Sequence, residues 1–200
     1  SENTAVGQNS LQANTTASDN VGVGHSALEA NTTGAGLTAV GKNALKANTT
    51  GTRNIAIGFG AYDASDTEND NIAIGYEAMT TNTAGGTANV AVGNYSLDAL
   101  TSGDNNTAVG HNALGANNSG GDNIAVGKDA LLDNTTGANN VAVGVSALAN
   151  NTTANDNVAI GDDALIVNTT GAGNTAVGKN ALQANTTAEG NTAIGKAALA

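Results

Sequence analysis

The residues that could do chemistry are few, and their types do not converge. Residues 63–70, Asp-Ala-Ser-Asp-Thr-Glu-Asn-Asp, are the most acidic stretch, and closely spaced carboxylates are the oxygen ligands that Ca²⁺ takes. The stretch lacks the glycine-punctuated spacing of calcium loops and calcium-binding repeats, so a solvated turn is expected there. His25 and His111 stand far apart, with no Cys or carboxylate set around them. Ser10, Ser26, Ser96 and Ser146 show no base partner, which a serine nucleophile requires. No catalytic residue, metal or cofactor is therefore expected. Asn-Thr-Thr triplets match the acceptor pattern for N-glycosylation, but they recur with a fixed period that turn structure explains without a glycan. Phe59, Tyr76 and Tyr95 are the one candidate surface patch. With Tyr62 they could form an adhesive spot for a glycan or a host-surface receptor, or cap a locally wider core.

Composition narrows the partners further. The net charge is −11 and the six basic residues are scattered, whereas phosphate binding needs clustered Lys and Arg, so nucleic acid is not expected as a partner. An acidic surface favours solubility and keeps rods from adhering sideways. There is no Cys, hence no disulfide staple. No apolar run approaches the roughly 20 residues of a membrane helix, so membrane insertion is not expected.

A repeat sets the elements that must position these residues. Residues 174–190, Asn-Thr-Ala-Val-Gly-Lys-Asn-Ala-Leu-Gln-Ala-Asn-Thr-Thr-Ala-Glu-Gly, are one clean copy. The glycine of its Asn-x-Ala-Val/Ile-Gly core returns every 17 residues, with a single step of 18 between Gly75 and Gly93. An extra residue is expected within residues 84–88. A fixed period of this size is the signature of a solenoid. The expected fold is all-β, a parallel β-solenoid of about twelve 17-residue coils, with residues 1–200 as one repeat domain. Two short strands per coil and coils about 4.7–4.9 Å apart make a rod on the order of 55 Å long.

Numbering each copy from its leading Asn, column 4 is always Val or Ile, including Val6, Val40, Ile57, Ile74, Val109, Val143 and Val177. Column 9 is Leu in nearly every copy, including Leu11, Leu45, Leu114, Leu148 and Leu182. Both columns are expected in the core, since β-branched and large apolar side chains suit a pleated, buried surface. Column 3 is Ala, including Ala5, Ala39, Ala56, Ala73, Ala108, Ala142 and Ala176, with Gly22 in one copy. Successive strand residues face opposite ways, so the alanines are expected outside, kept small for a neighbouring chain. Gly at column 5 suits a sharp bend. Asn-Thr-Thr-Gly at columns 12 to 15 is turn chemistry, and recurrent Asn fits ladders along the axis.

The pattern Asn-x-Ala-Val/Ile-Gly-x-x-Ala-Leu resembles the head repeats of trimeric autotransporter adhesins. The longer form, with Ala-Leu-x-x-Asn-Thr-Thr-Gly before the next core, as in residues 44–51 and 181–195, is similar to repeats of bacteriophage tail-fibre-type proteins. The resemblance runs through the whole chain. It implies a left-handed parallel β-roll, a homotrimer of side-by-side chains, and a shaft or head of a fibre on an extracellular, cell or virion surface. Two alternatives are kept. Ser1 starts almost at a repeat boundary and Ala200 stops mid-repeat, so the stretch is expected either to be cut from a longer chain or to stack end to end through strand edges. A Thr ladder at columns 13 and 14 (Thr15/Thr16, Thr32/Thr33, Thr49/Thr50, Thr135/Thr136) could instead bind ice, although Asp66, Ala84, Asn118 and Ser119 interrupt it.

Overall fold

The computed structural model describes residues 2–82 and 85–200. The repeat produces one strand per coil: β1 (Thr4–Val6), β2 (Val21–Val23), β3 (Thr38–Val40), β4 (Ile55–Ile57), β5 (Ile72–Ile74), β6 (Val90–Val92), β7 (Thr107–Val109), β8 (Ile124–Val126), β9 (Val141–Val143), β10 (Val158–Ile160), β11 (Thr175–Val177) and β12 (Thr192–Ile194). They form one 12-stranded sheet in sequence order. Each strand pairs in parallel with the next, column against column, as in Ala108↔Ala125. The chain is a parallel β-solenoid.

The strands are three residues long because both ends are fixed. At column 5 the chain takes φ +139° at Gly144 and near that value in the other copies, a conformation open to glycine and not to L side chains. At column 1 the Asn side chain turns inward and is bound twice. Asn123 Oδ1 accepts the backbone N–H of Asn140 at 3.0 Å, and Asn123 Nδ2 donates to the Gly137 carbonyl at 2.9 Å. Column 12 forms a second ladder, in which Asn151 Nδ2 donates to Asn134 Oδ1 and to the Ala154 carbonyl. These buried amides hold backbone groups that water cannot reach, which is why Asn recurs there. Where column 12 becomes Ser65, the preceding Asn48 Oδ1 is left without a partner.

The expected second strand is absent from the described residues; columns 6 to 11 are turns. The reason is handed backbone. Columns 7 and 9 take positive φ, for example Asn43 at +62° and Leu45 at +49°, and a left-handed residue cannot continue a strand. This conformation costs about 1–2 kcal/mol at a bulky residue, and a buried Leu contributes about 1.5–3 kcal/mol in return. The Leu N–H is also paired between coils, as from Leu45 to the Ala61 carbonyl at 3.1 Å.

The two strand faces are the reverse of the expectation. Ala39, Ala56, Ala73, Ala108, Ala142 and Ala176 are fully buried in the chain's own core, and Ala5 in the first described coil is exposed. Val6, Val40, Ile57, Ile74, Val109, Val143 and Val177 point outward and none is buried. The core is Leu11, Leu45, Leu114, Leu148, Leu182 and their column mates, packed against the alanines of columns 3 and 8. Width explains the inversion. A methyl placed on Gly22 would sit 3.4 Å from Leu11 Cγ and 3.5 Å from the Ala27 carbonyl oxygen, and would meet Ser10 Oγ at 2.6 Å, a hydroxyl that the other column 8 residues, except Ser96, lack. The Leu column fills the coil, and opposite it there is room for a methyl and nothing larger. Where column 3 gives up that methyl at Gly22, Ser10 replaces Ala at column 8 and its hydroxyl donates to the Gly22 carbonyl at 2.9 Å.

The 18-residue step is absorbed in a turn. Asn82 Nδ2 reaches the carbonyl four residues on, at Gly86, where Asn31 reaches three residues on to Gly34. Register resumes at once, with Ile72 opposite Val90. The expected site of the extra residue begins at Ala84, which lies outside the described residues.

Candidate functional site

With the interior closed, the chemistry that remains is on the surface. Among the described residues no cavity opens, and no three His, Cys, Asp or Glu side chains gather as a metal would need. No helix is long and apolar enough to cross a membrane.

The outward face of the sheet is the most distinctive surface. Columns 2 and 4 alternate with the buried alanines, so both point away from the core along every strand. Over all twelve strands they hold only Thr, Val or Ile. Ile57, Ile124, Val126 and Ile160 are 38, 43, 36 and 40 % exposed. A solvent-facing strand normally alternates to charged and polar residues, and an acidic chain had every opportunity to place them here. The face is therefore uncharged from β1 to β12 and predominantly apolar, with hydroxyls only at Thr4, Thr38, Thr107, Thr175 and Thr192.

The face lies between two charged margins. Before each strand, at columns 16 and 17, the exposed charged residues are acidic, Asp19, Asp70, Asp104, Asp122, Asp156 and Glu189, with Arg53 the exception, and they are interspersed with exposed Asn105, Asn139 and Asn155. After each strand, column 6 carries Lys42, Lys128, Lys179 and Lys196, with His25, His111 and a single Asp162. Column 7 beside it adds Glu77, Asp129 and Asp163, and Asp129 lies 3.3 Å from Lys128 Nζ. Arg53 is bound by Asp70 through Nε and Nη2 at 2.5 and 2.7 Å, and Lys179 by Asp162 at 2.5 Å. Both exceptions to the sign pattern are thus neutralised within the chain. The Arg53 guanidinium holds the Asp70 carboxyl below its ordinary range.

Phe59, Tyr76 and Tyr95 are brought together on the column 6 margin. Phe59 and Tyr76 stack with centroids 5.3 Å apart and planes 8° apart. Tyr95 meets Tyr76 edge-on at 5.5 Å, His111 continues the line at 5.9 Å from Tyr95, and Lys42 caps it with Nζ 5.6 Å from the Phe59 centroid. Stacking and cation–π contact contribute about 0.5–1.5 kcal/mol each. The line stitches coils together. It also engages both faces of the Phe59 ring, with Tyr76 on one side and Lys42 on the other, which reduces the ring surface on which a sugar would stack. Tyr62, grouped with these residues from sequence, points inward and is fully buried. Its hydroxyl accepts from Asn71 and Asn82 at 2.5 and 3.0 Å, and burial pushes its pKa up.

The acidic stretch does not gather either. Asp70 is taken by Arg53, Asp66 accepts the Thr49 hydroxyl, and Asp63 is half-buried. Glu68 is not solvated as expected: it is 4 % exposed, and its Oε2 accepts the Ser65 hydroxyl and the N–H groups of Asp66 and Thr67 at 3.1, 3.0 and 3.1 Å. Glu68 thereby holds the turn in which Ser65 stands where the other coils have Asn, through acceptor bonds unlike those of the Asn ladder.

Ser26 proves to have an imidazole beside it, with Oγ 3.0 Å from His25 Nδ1. The hydroxyl belongs to a residue 3 % exposed, so it is not presented to a substrate. The Asn of the Asn-Thr-Thr triplets, such as Asn31, Asn48, Asn134 and Asn168, is fully buried with its Nδ2 engaged. Column 13 hydroxyls are engaged as well: Thr15, Thr32, Thr49 and Thr135 each donate to a carbonyl of the next coil. That rank ties coils together, which leaves Thr16, Thr33, Thr50 and Thr136 of column 14 exposed. Of the expected interruptions, Ala84 lies outside the described residues.

Compared with family models, curated proteins and solved structures, the chain matches none.

One pH response follows from two carboxyls on column 10. Burial pushes the pKa of Asp63 and of Asp98 upward, and the nearby Glu77 adds to both. Their folded pKa lies above the unfolded value of about 3.9, so the folded chain holds these protons more tightly. Stability therefore rises as pH falls from 7 through the raised pKa toward about 4, and is lost in the other direction. Thermal melts of wild type and of the Asp63→Asn, Asp98→Asn double variant should differ in slope over this window, the variant rising less. Equal slopes would refute the assignment.

Proposed function

We propose that the chain is a structural segment of an extended fibre or filament at a cell or virion surface, a spacer or adhesive shaft. The observation that carries this reading is the filled interior repeated in register from β1 to β12. An architecture whose layers contact only their neighbours supplies length and stiffness, and the described residues offer no cavity for a substrate. The Asn-x-Ala-Val/Ile-Gly repeat with its Asn-Thr-Thr-Gly turns, similar to adhesin-head and tail-fibre repeats, supports an extracellular or virion-borne setting. It also supports side-by-side chains, with a homotrimer as the form the resemblance implies. The alanines no longer argue for neighbours, because they are interior; columns 2 and 4 take over that role. A host-surface receptor or glycan would have to bind on the surface, and Phe59, Tyr76 and Tyr95 are exposed there.

Electron microscopy and small-angle scattering test the reading. Straight particles of uniform width are expected, on the order of 55 Å long from a coil spacing of ~4.8 Å, or multiples of that length if chains add end to end. Compact or flexible particles would overturn it.

A further inference from the structure

We infer that the sheet face is covered by a second copy of this chain, lying alongside and pointing the same way, each strand opposite the same strand of its partner. The pair is related by a two-fold axis parallel to the solenoid. This deepens the fibre reading and rests on it, by naming the partner and its orientation, and it sets a two-fold pair in place of the homotrimer that the repeat resemblance implies.

Three observations carry the inference. First, the face is self-complementary in chemistry: Thr, Val and Ile at every outward position of β1 to β12, with no charge to bury. Second, its size suffices. At ~3.3 Å per residue and ~4.8 Å per strand the strands alone cover about 570 Å², and one residue on each margin brings each partner to about 950 Å². A stable interface takes roughly 800 Å² a side. A flat face is covered completely by one other flat face, whereas three such faces around a three-fold axis meet only along their margins.

Third, the margins select the orientation. Two sheets can face each other with their solenoids parallel or antiparallel. The antiparallel choice lays acidic margin on acidic margin. The parallel choice lays each acidic margin on the partner's column 6 at the same level. Asp122 of β8 then faces Lys128 of the second copy and Glu189 of β12 faces Lys196, while Asp19 of β2 and Asp104 of β7 face the imidazoles of His25 and His111 as hydrogen-bonding partners. The like pair, Asp156 with Asp162 at β10, is relieved because Asp162 is already bound to Lys179. Opposed charges at an interface rim set register and exclude wrong partners. Because every coil meets its own counterpart, the arrangement holds for any number of coils.

The chain has no Cys, so single cysteines can carry spin labels at Thr33 or Thr170, both exposed on column 14. Sedimentation should give the mass of two chains. In the parallel pair, Thr33→Cys labels and Thr170→Cys labels each show the same short separation. A mixture of the two shows a distance longer by eight coils, about 38 Å along the axis. Val143→Glu should weaken pairing by about 100-fold or more, with an unchanged circular dichroism spectrum. Should that variant fail to fold, Lys128→Glu on the exposed margin serves: about tenfold weaker pairing, restored by adding Asp122→Lys. A trimer overturns the two-fold pairing and leaves the fibre reading standing. So does the reversed label pattern, which marks antiparallel packing. A monomer that depresses the freezing point, and ceases to with Val143→Glu, overturns the inference by making ice the occupant of the face. Failure of the fibre reading itself would show separately, as particles that are not rods.

Discussion

Gly144→Ala should unfold the coils around β9, lowering stability by about 2–6 kcal/mol. Two independent costs add. The backbone at Gly144 has φ +139°, outside even the left-handed pocket that L residues tolerate, and strain of this kind costs about 1–3 kcal/mol. The new Cβ would lie 2.5 Å from the carbonyl oxygen of Gly161 and 2.6 Å from its carbonyl carbon. That neighbour is backbone of the next coil, and it is held there by Gly161 N–H donating to the Val143 carbonyl at 2.8 Å. It cannot move aside without breaking the ladder, and overpacking of this kind costs about 1–3 kcal/mol more. A whole domain is stable by only about 5–15 kcal/mol. The control is in the same chain. Gly173 has φ +66° with nothing within 4 Å of an added Cβ, and its column mates Asn105 and Asn139 both hold φ +58°. Gly173→Asn should therefore be neutral within about 0.5 kcal/mol or slightly stabilising. Chemical denaturation of both variants checks the contrast; similar midpoints would mean that column 5 is not bounded by the next coil.

The column 5 glycines, the Asn ladders and the Leu core were legible because each is a demand that one residue type meets. Only glycine takes φ near +140°, and Asn, replaced in single coils by Leu37, Ser65 and Leu100, offers both a donor and an acceptor at the reach of columns 1 and 12. A period of 17 with one step of 18 gives the coil number directly. The absent second strand was not legible. Nothing in Asn43-Ala-Leu45 announces positive φ at both Asn43 and Leu45, because the tertiary stack, not local preference, holds a Leu there.

The sense of the strand was misread for a different reason. A period of 2 separates two faces without saying which is inside, and β-branched Val at column 4 suits either. The deciding signal was width. Column 3 never exceeds Ala because Leu reaches across to it, as the 3.4 Å approach of a Gly22 methyl to Leu11 Cγ makes plain. Column 2 held the second clue: Thr interchanges there with Val and Ile, at Thr107, Ile124 and Val141. A fully apolar interior would not accept a hydroxyl without a partner. The outward face was hidden with it, since residues assigned to the core could not also be assigned to the surface.

Adjacent substitutions in β9 separate the two senses of the strand. Ala142 is fully buried and Val143 is 36 % exposed. Ala142→Glu must place a carboxylate against the Leu column, where no cavity exists among the described residues to receive it. An unpaired buried charge and overpacking together put this among the most damaging single changes, at about 4 kcal/mol or more. The expected result is loss of the strand signal in circular dichroism around the altered coil, with hydrogen exchange opening in β8 to β10. Val143→Glu places the same group in water on the other side of the sheet. Its cost to the single chain is confined to strand propensity, about 1 kcal/mol at most, and the spectrum should persist at any dilution. Had Val143 been the core residue and Ala142 the outward one, the order of damage would be reversed. Equal damage from both would mean that β9 is covered on both faces within one chain, and the outward face of Val, Ile and Thr would no longer be available to a second copy.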